Sequence, residues 1–282
     1  MLGRKIPRGK LYHSLADSSR YMMQSLFRPM NRVEPVLRFE QEFARYCEQE
    51  HATAFPFART GVYALLSLGA YPEGSEVLMP AVTIKGMVDV VIALKLVPVF
   101  VETDPDTFCF CMDDLQFKIT SRTVAALVTP LFGLVPNVEA MTTILKEKEL
   151  FVIVDFSQCL NGRYKAKLVC SYGDAAVYSS SSIKTLDTLG GGIVVTNSSV
   201  VNDKLKRFQT NLIEPGRVRL IGKAWTNLMR NLATQSFVFS CLTFYFIRIL
   251  GLLKKDSALR MTGIRSREAL EELPEVWFEK YT

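Results

Sequence analysis

Residues 151–196 read FVIVDFSQCLNGRYKAKLVCSYGDAAVYSSSSIKTLDTLGGGIVVT. The run Phe151–Val154 is apolar and rich in β-branched residues, and it delivers Asp155 at its end, with Gln158 close behind. Short runs of this kind, bounded by polar turns, are buried strands. Ala175–Tyr178 and Ile193–Thr196 repeat the pattern. Between those two lie Ser179 to Ser182, then Ile183, Lys184 and the glycine run Gly190 to Gly192. A serine run hemmed between two buried strands disfavours a linker.

Working towards the N-terminus, apolar runs alternate with helical spacing. Ala125–Thr129, Val97–Val101 and Val77–Pro80 read as strands, and Val138–Glu149 and Gly86–Leu94 as helices. Phe55–Phe57 reads as a short strand, Thr60-Gly61 as the opening of a helix ending near Tyr71, and Pro72-Glu73-Gly74 as a turn. Val36, Phe39, Phe43 and Tyr46 predict an amphipathic helix between Pro35 and Glu50. The fold class is α/β, a mostly parallel sheet covered by helices on both faces. Residues 1–34 read as an irregular, basic, Met-rich arm.

Beyond Thr196 the character changes. Val201–Leu212 predicts a helix and Pro215–Lys223 a basic connector. Phe237–Leu253 is an apolar run of 17 residues, interrupted by Arg248 and followed by Lys254-Lys255. It is shorter than the ~20 residues of a membrane span. Two readings stay open beside a true span: a buried helix or hairpin, and a helix resting on a membrane surface between basic flanks.

The chain has 282 residues, with 34 Lys and Arg against 28 Asp and Glu, a net charge of +6. That excess reads as spread along the chain with no polybasic block, which argues against nucleic acid as a partner. Only His13 and His51 are histidines, which disfavours a histidine metal site or a Ser-His-Asp triad. Cys47, Cys109, Cys111, Cys159, Cys170 and Cys241 lack metal-ligand spacing. No apolar secretory segment opens the sequence, so a reducing cytoplasmic compartment is expected.

The chemistry concentrates in residues 151–196. Ligands of open α/β sheets bind beyond the carboxyl ends of the strands, where Asp155 stands. A carboxylate there and a lysine 29 residues later are what pyridoxal phosphate requires. The lysine forms a Schiff base with the aldehyde, and the carboxylate pairs with the pyridinium nitrogen so that the ring acts as an electron sink. Hydroxyls and backbone N–H groups at a helix start hold a phosphate.

Six blocks in this order resemble the DegT/StrS-type sugar aminotransferases, pyridoxal-phosphate enzymes of fold type I. They are RFEQEFARY, ARTGVYALLSLGAYPEGSEVLMPAVT, LVPVFVETDPDTF, TPLFGLVPNVEAM, FVIVDFSQCLNG and GDAAVYSSSSIKTLDTLGGGIVVTN. The resemblance covers about residues 35 to 213 and implies a large cofactor-binding domain with a seven-stranded type of sheet. It implies Lys184 as the lysine bonded to the cofactor, Asp155 as the partner of the ring nitrogen, and Gln158 packed near the ring. Ser179, Thr60 and Gly61 are implied for the phosphate, and Ile84 for the outer ring face. By the same resemblance the reaction is transamination of a keto sugar, nucleotide-linked, with glutamate as amino donor, in a homodimer. The lysine argues against the family's dehydratase branch, which has histidine there.

The departures are specific. The family's Ser-Gly-Thr order reads Thr60-Gly61-Val62, and Ile84 stands where an aromatic residue is usual. Thr129-Pro130 precedes the LFG block, and Gly190 replaces a common glutamate. Residues 214–282 are expected to hold the connector, an apolar helical insertion and the truncated start of a C-terminal domain. A catalytically inert partner or scaffold subunit is the alternative this truncation keeps open.

Overall fold

The computed structural model describes residues 5–7, 13–29, 33–181, 184–252 and 272–281. The chain forms two compact units, a smaller one of Met1–Asn31 with Pro215–Glu268 and a larger one of Arg32–Glu214 with Ala269–Thr282. This division differs from a plain succession of arm, domain and tail, because each unit is built from two separate stretches.

In chain order, α1 (Leu15–Phe27) belongs to the smaller unit. The larger unit begins with α2 (Glu34–Tyr46), β1 (His51–Phe55), α3 (Ala58–Leu68), β2 (Glu76–Pro80), α4 (Lys85–Ala93) and β3 (Val97–Val101). It continues through α5 (Met112–Lys118), β4 (Thr123–Val128), α6 (Val138–Glu147) and β5 (Phe151–Asp155). A small hairpin of β6 (Arg163–Tyr164) and β7 (Lys167–Leu168) precedes β8 (Ala175–Ser179), β9 (Gly192–Thr196) and α7 (Ser199–Thr210). The smaller unit resumes with α8 (Arg217–Thr234), α9 (Ser236–Val238), a π-helical turn Phe239–Thr243 and α10 (Phe244–Leu252). A 3-10 turn, Glu275–Phe278, then rejoins the larger unit.

Seven strands form one sheet in the order β1-β9-β8-β5-β4-β2-β3. From β3 to β8 every pairing is parallel, while β8–β9 and β9–β1 are antiparallel. Strand alternation sorts the side chains into two cores. Val152, Val154, Ala126 and Val128 face α2, α5 and α6 through Phe43, Leu115, Met141 and Leu145. Ile153, Ala125, Leu127 and Val177 face α3, α4 and α7 through Leu65, Val90 and Leu205. Burial on both faces explains why these strands read as continuous apolar runs.

Several boundaries differ from the sequence reading. The first strand is His51–Phe55 rather than 55–57, because it pairs antiparallel from His51↔Thr196 to Phe55↔Gly192 and ends opposite the first residue of β9. Within the stretch expected to be an irregular arm, Leu15–Phe27 is helical, started by a reciprocal capping box of Ser14 and Asp17. Pro215–Lys223 is not a connector either, since Arg217 already lies in α8. Within the smaller unit α1 and α8 pack together, with Asn231 Nδ2 donating to the His13 carbonyl and to Ser18 Oγ, both at 2.9 Å. The Arg217 guanidinium donates to the Leu26 carbonyl at 2.7 Å.

Within the larger unit the C-terminal strip docks on the end of α7. Ile213 N–H donates to the Phe278 carbonyl at 2.8 Å and Lys280 N–H to the Ile213 carbonyl at 2.7 Å. Residues 272–281 thus pack as part of the larger unit.

The charge is not evenly spread. The smaller unit carries 16 Lys and Arg against 3 Asp and Glu, 16 − 3 = +13. The larger unit carries 18 against 25, 18 − 25 = −7. The modest whole-chain sum hides this separation.

Candidate active site

Asp155 is the last residue of β5 and is buried at the carboxyl end of the sheet. Its Oδ1 accepts the Ser157 N–H at 3.0 Å. Burial holds its carboxyl above the usual carboxylate range, opposed by Ser157 and by the Lys184 ammonium. Burial also pushes the Lys184 amine down, with Asp155 opposing. Each is therefore within electrostatic reach of the other, and more of the lysine is neutral, nucleophilic amine than in water.

The loop carrying Lys184 is tied at its base. Ser180 N–H donates to the Gly191 carbonyl and Thr188 N–H to the Ser180 carbonyl, both at 3.0 Å. Thr188 Oγ1 donates to Ser180 Oγ at 2.7 Å, and Leu186 N–H to the buried Tyr178 hydroxyl at 2.9 Å. Lys184 N–H bonds the Ser181 carbonyl at 2.9 Å. Gly191 sits at φ +148°, where a Cβ would meet Tyr281 at 2.5 Å and Ser180 Oγ at 2.8 Å. Only glycine fits that closure.

Ser157, which sequence reasoning did not single out, links two of the expected residues. Its N–H reaches Asp155, and its Oγ accepts the Ser179 N–H at 2.8 Å. Ser179 ends β8 and is half-buried, next to β5. Gln158 is exposed and accepts the Phe132 N–H on Oε1 at 3.3 Å. It is thus joined to the LFG loop. Ile84, 54% exposed, caps the start of α4.

Thr60 and Gly61 lie in the first turn of α3. The buried Thr60 hydroxyl donates to the Trp277 carbonyl at 2.6 Å. The N–H groups of Thr60 and Gly61 both donate to the Phe57 carbonyl, at 3.1 and 3.3 Å. These donors serve the first turn of α3 and the C-terminal strip. Gly61 is required for packing, since a Cβ there would meet Val194 Cγ2 at 2.7 Å. No local signal near residue 60 could have foretold an acceptor at residue 277.

Thr129 follows β4, whose Val128 pairs with Val154 on β5, so it lies beside Asp155 in the sheet. Its buried hydroxyl has no hydrogen-bond partner among the described residues. A buried orphan hydroxyl at a strand end is the kind of group a bound molecule satisfies. Among the described residues no cluster of His, Cys, Asp and Glu could hold a metal ion.

GDP-perosamine synthase of Escherichia coli O157:H7 is 32% identical over 175 residues, 62% of this chain and 48% of that protein. GDP-perosamine synthase of Vibrio cholerae is 26% identical over 66% of this chain and 51% of its own length. The chain therefore spans about half the length of the curated relatives it matches. Among solved structures, DesI with its TDP-sugar product aligns at TM-score 0.67 and 24% identity, over 74% of this chain and 53% of that one. The PLP form of the Streptococcus pneumoniae protein Spr1654, a putative sugar aminotransferase by its description, aligns at TM-score 0.67 and 17% identity, over 79% and 66%. At these identities the structural likeness establishes the fold. The family model for DegT/DnrJ/EryC1/StrS aminotransferases matches residues 28–229, and the chain belongs to that family.

Proposed function

We propose that this chain supplies the cofactor-binding domain of an aminotransferase that converts a keto sugar, nucleotide-linked, into an amino sugar with glutamate as donor. The observation carrying this reading is the mutual electrostatic influence of buried Asp155 and Lys184 at the carboxyl end of the sheet. The names of the relatives, two GDP-perosamine synthases among them, support the substrate class.

Pyridoxal phosphate is the cofactor that family membership brings, and the residues fit it. Asp155 is a buried carboxylate, Lys184 a depressed amine, and Thr129 an orphaned hydroxyl one residue beyond the Val128↔Val154 pair that precedes Asp155. When bound, the cofactor supplies an electron sink for removal of the substrate's α-proton. Asp155 holds the proton on the ring nitrogen, and Ser157 keeps that carboxylate oriented through its N–H. The Lys184 Nζ would hold the cofactor and would serve as the base that moves a proton at the reacting carbon. The Ser180–Thr188–Gly191 closure ties down the base of the loop that carries Lys184. Ser179 offers a hydroxyl to the phosphate. Family resemblance further supports a homodimer as the working assembly.

The test is to purify the chain with pyridoxal phosphate, record its visible spectrum, reduce with borohydride and map the modified peptide. A chromophore and a label on Lys184 are expected. A colourless, unlabelled protein sinks the proposal for this chain and favours the inert-subunit alternative.

A further inference from the structure

The smaller unit is built inside out. On α8 the residues facing α1 include Ala224, Asn227 and Asn231, all buried, two of them polar. Its outward strip is apolar: Val218, Gly222, Trp225 and Leu232 are exposed, with the half-buried Met229 completing an alternating spacing of four and three. Beside that strip runs a second one, Arg219, Lys223, Thr226 and Arg230, at the same spacing and rich in cations. An ordinary surface helix does the reverse, turning its apolar face inward.

The next helices continue the pattern. Leu242, Tyr245, Phe246, Ile249 and Leu252 are exposed and lie three or four apart along residues 242–252. Exposure is large where it counts: Val218 85%, Phe237 79%, Leu252 76% and Trp225 52%. These exposures run against the buried-helix reading of Phe237–Leu253, while Leu253 and the Lys254-Lys255 flank lie outside the described residues. Residues 215–252 contain five Arg and Lys and no Asp or Glu.

No single helix among the described residues is long and apolar enough to cross a membrane, and α8 with residues 236–250 passes that test only as a pair bent by 69°. A helix with an exposed apolar strip, a tryptophan in it and a cationic strip alongside matches a boundary between acyl chains and negative headgroups. We propose that the smaller unit lies on an anionic lipid surface, its apolar strips at the acyl boundary and Arg219, Lys223 and Arg230 at the headgroups. Charge selects this occupant. A +13 unit is drawn to a negative sheet over about a Debye length, roughly 8 Å at physiological salt.

The test is flotation of the full chain with phosphatidylcholine vesicles, with and without phosphatidylserine. Flotation with the anionic vesicles alone, reversed by salt, is the expected result. Arg219→Gln with Lys223→Gln should weaken partitioning about thirtyfold, from about 1 kcal/mol per basic residue at such a surface. A readout free of folding artefacts uses wild type: acyl chains brominated near the headgroup quench its tryptophan emission, and Trp225→Phe loses that quenching. Failure to float with anionic vesicles, or equal flotation with neutral ones, overturns the proposal. So does lipid-independent self-association that Trp225→Glu abolishes, which assigns the face to a second copy. None of these outcomes bears on Lys184 labelling, so the two readings fail separately.

Discussion

The Thr60 hydroxyl donates to the Trp277 carbonyl at 2.6 Å, tying the first turn of α3 to a strip 217 residues later. The Arg59 guanidinium lies between the rings of Phe57 and Trp277, at 4.3 and 4.1 Å from their centroids. Thr60 is therefore a fastener for residues 272–281. Thr60→Val leaves a buried carbonyl without its donor and should cost the cofactor-free chain about 1–3 kcal/mol. Thermal unfolding without cofactor checks this. An unchanged melting temperature alongside weaker cofactor binding would return Thr60 to the phosphate.

Trp277→Ala should be worse, about 3–5 kcal/mol, because it empties a core position and removes one face of the Arg59 sandwich. Denaturant titration of the variant measures it. A loss under 1 kcal/mol would mean that the strip is not part of the folded large unit.

Lys184→Ala should abolish the cofactor chromophore and the borohydride label while leaving the fold intact, since its side chain is only half-buried. A label persisting in this variant moves the attachment to another lysine.

Asp155 makes a prediction with a definite sign. Its folded-state pKa is raised, mainly by burial, so the folded chain holds this proton more tightly than the unfolded chain. Stability from this group is fully present below the unfolded value and declines as pH rises through the folded one. Asp155→Asn removes that loss. Lys184 loses its counter-charge in the variant, yet it is the weakest of the influences on Asp155, so burial decides the outcome. At neutral pH the cofactor-free variant should melt at a higher temperature than wild type. The advantage should vanish in acid, and transamination should be lost. A variant less stable than wild type at neutral pH would show that burial is not the dominant influence.

Gly61→Ala tests packing against chemistry. A Cβ at 2.7 Å from Val194 Cγ2 forces α3 off the sheet, costing about 1–3 kcal/mol. Cofactor-free unfolding reads that cost directly. A variant that melts like wild type but binds cofactor poorly would assign Gly61 to the phosphate.

What could be read from sequence follows from where each signal resides. Phe151–Asp155 was legible to the residue because a doubly buried strand must be apolar and end at its first polar side chain. Asp155 and Lys184 were legible because two uncommon requirements occur in a fixed order around strands. Ser157 was not, since its role depends on β8 lying beside β5. Helix α8 was hidden by Pro215 and Gly216 at its start and by an apolar face turned away from its neighbour. Its cations made it look like a linker.

The antiparallel pairing of β1 with β9 joins His51 to Thr196. During synthesis β1 emerges first among the seven strands, yet its only sheet neighbour is the last to be made. Until residue 196 leaves the ribosome, Ala52–Phe55 has no partner strand, and α3 has no β9 to receive Gly61. The centre of the sheet, β4 with β5, can assemble from much nearer segments. The nascent chain must therefore carry an open apolar strand through about half of its translation. The first strand to be made is the last to be sealed.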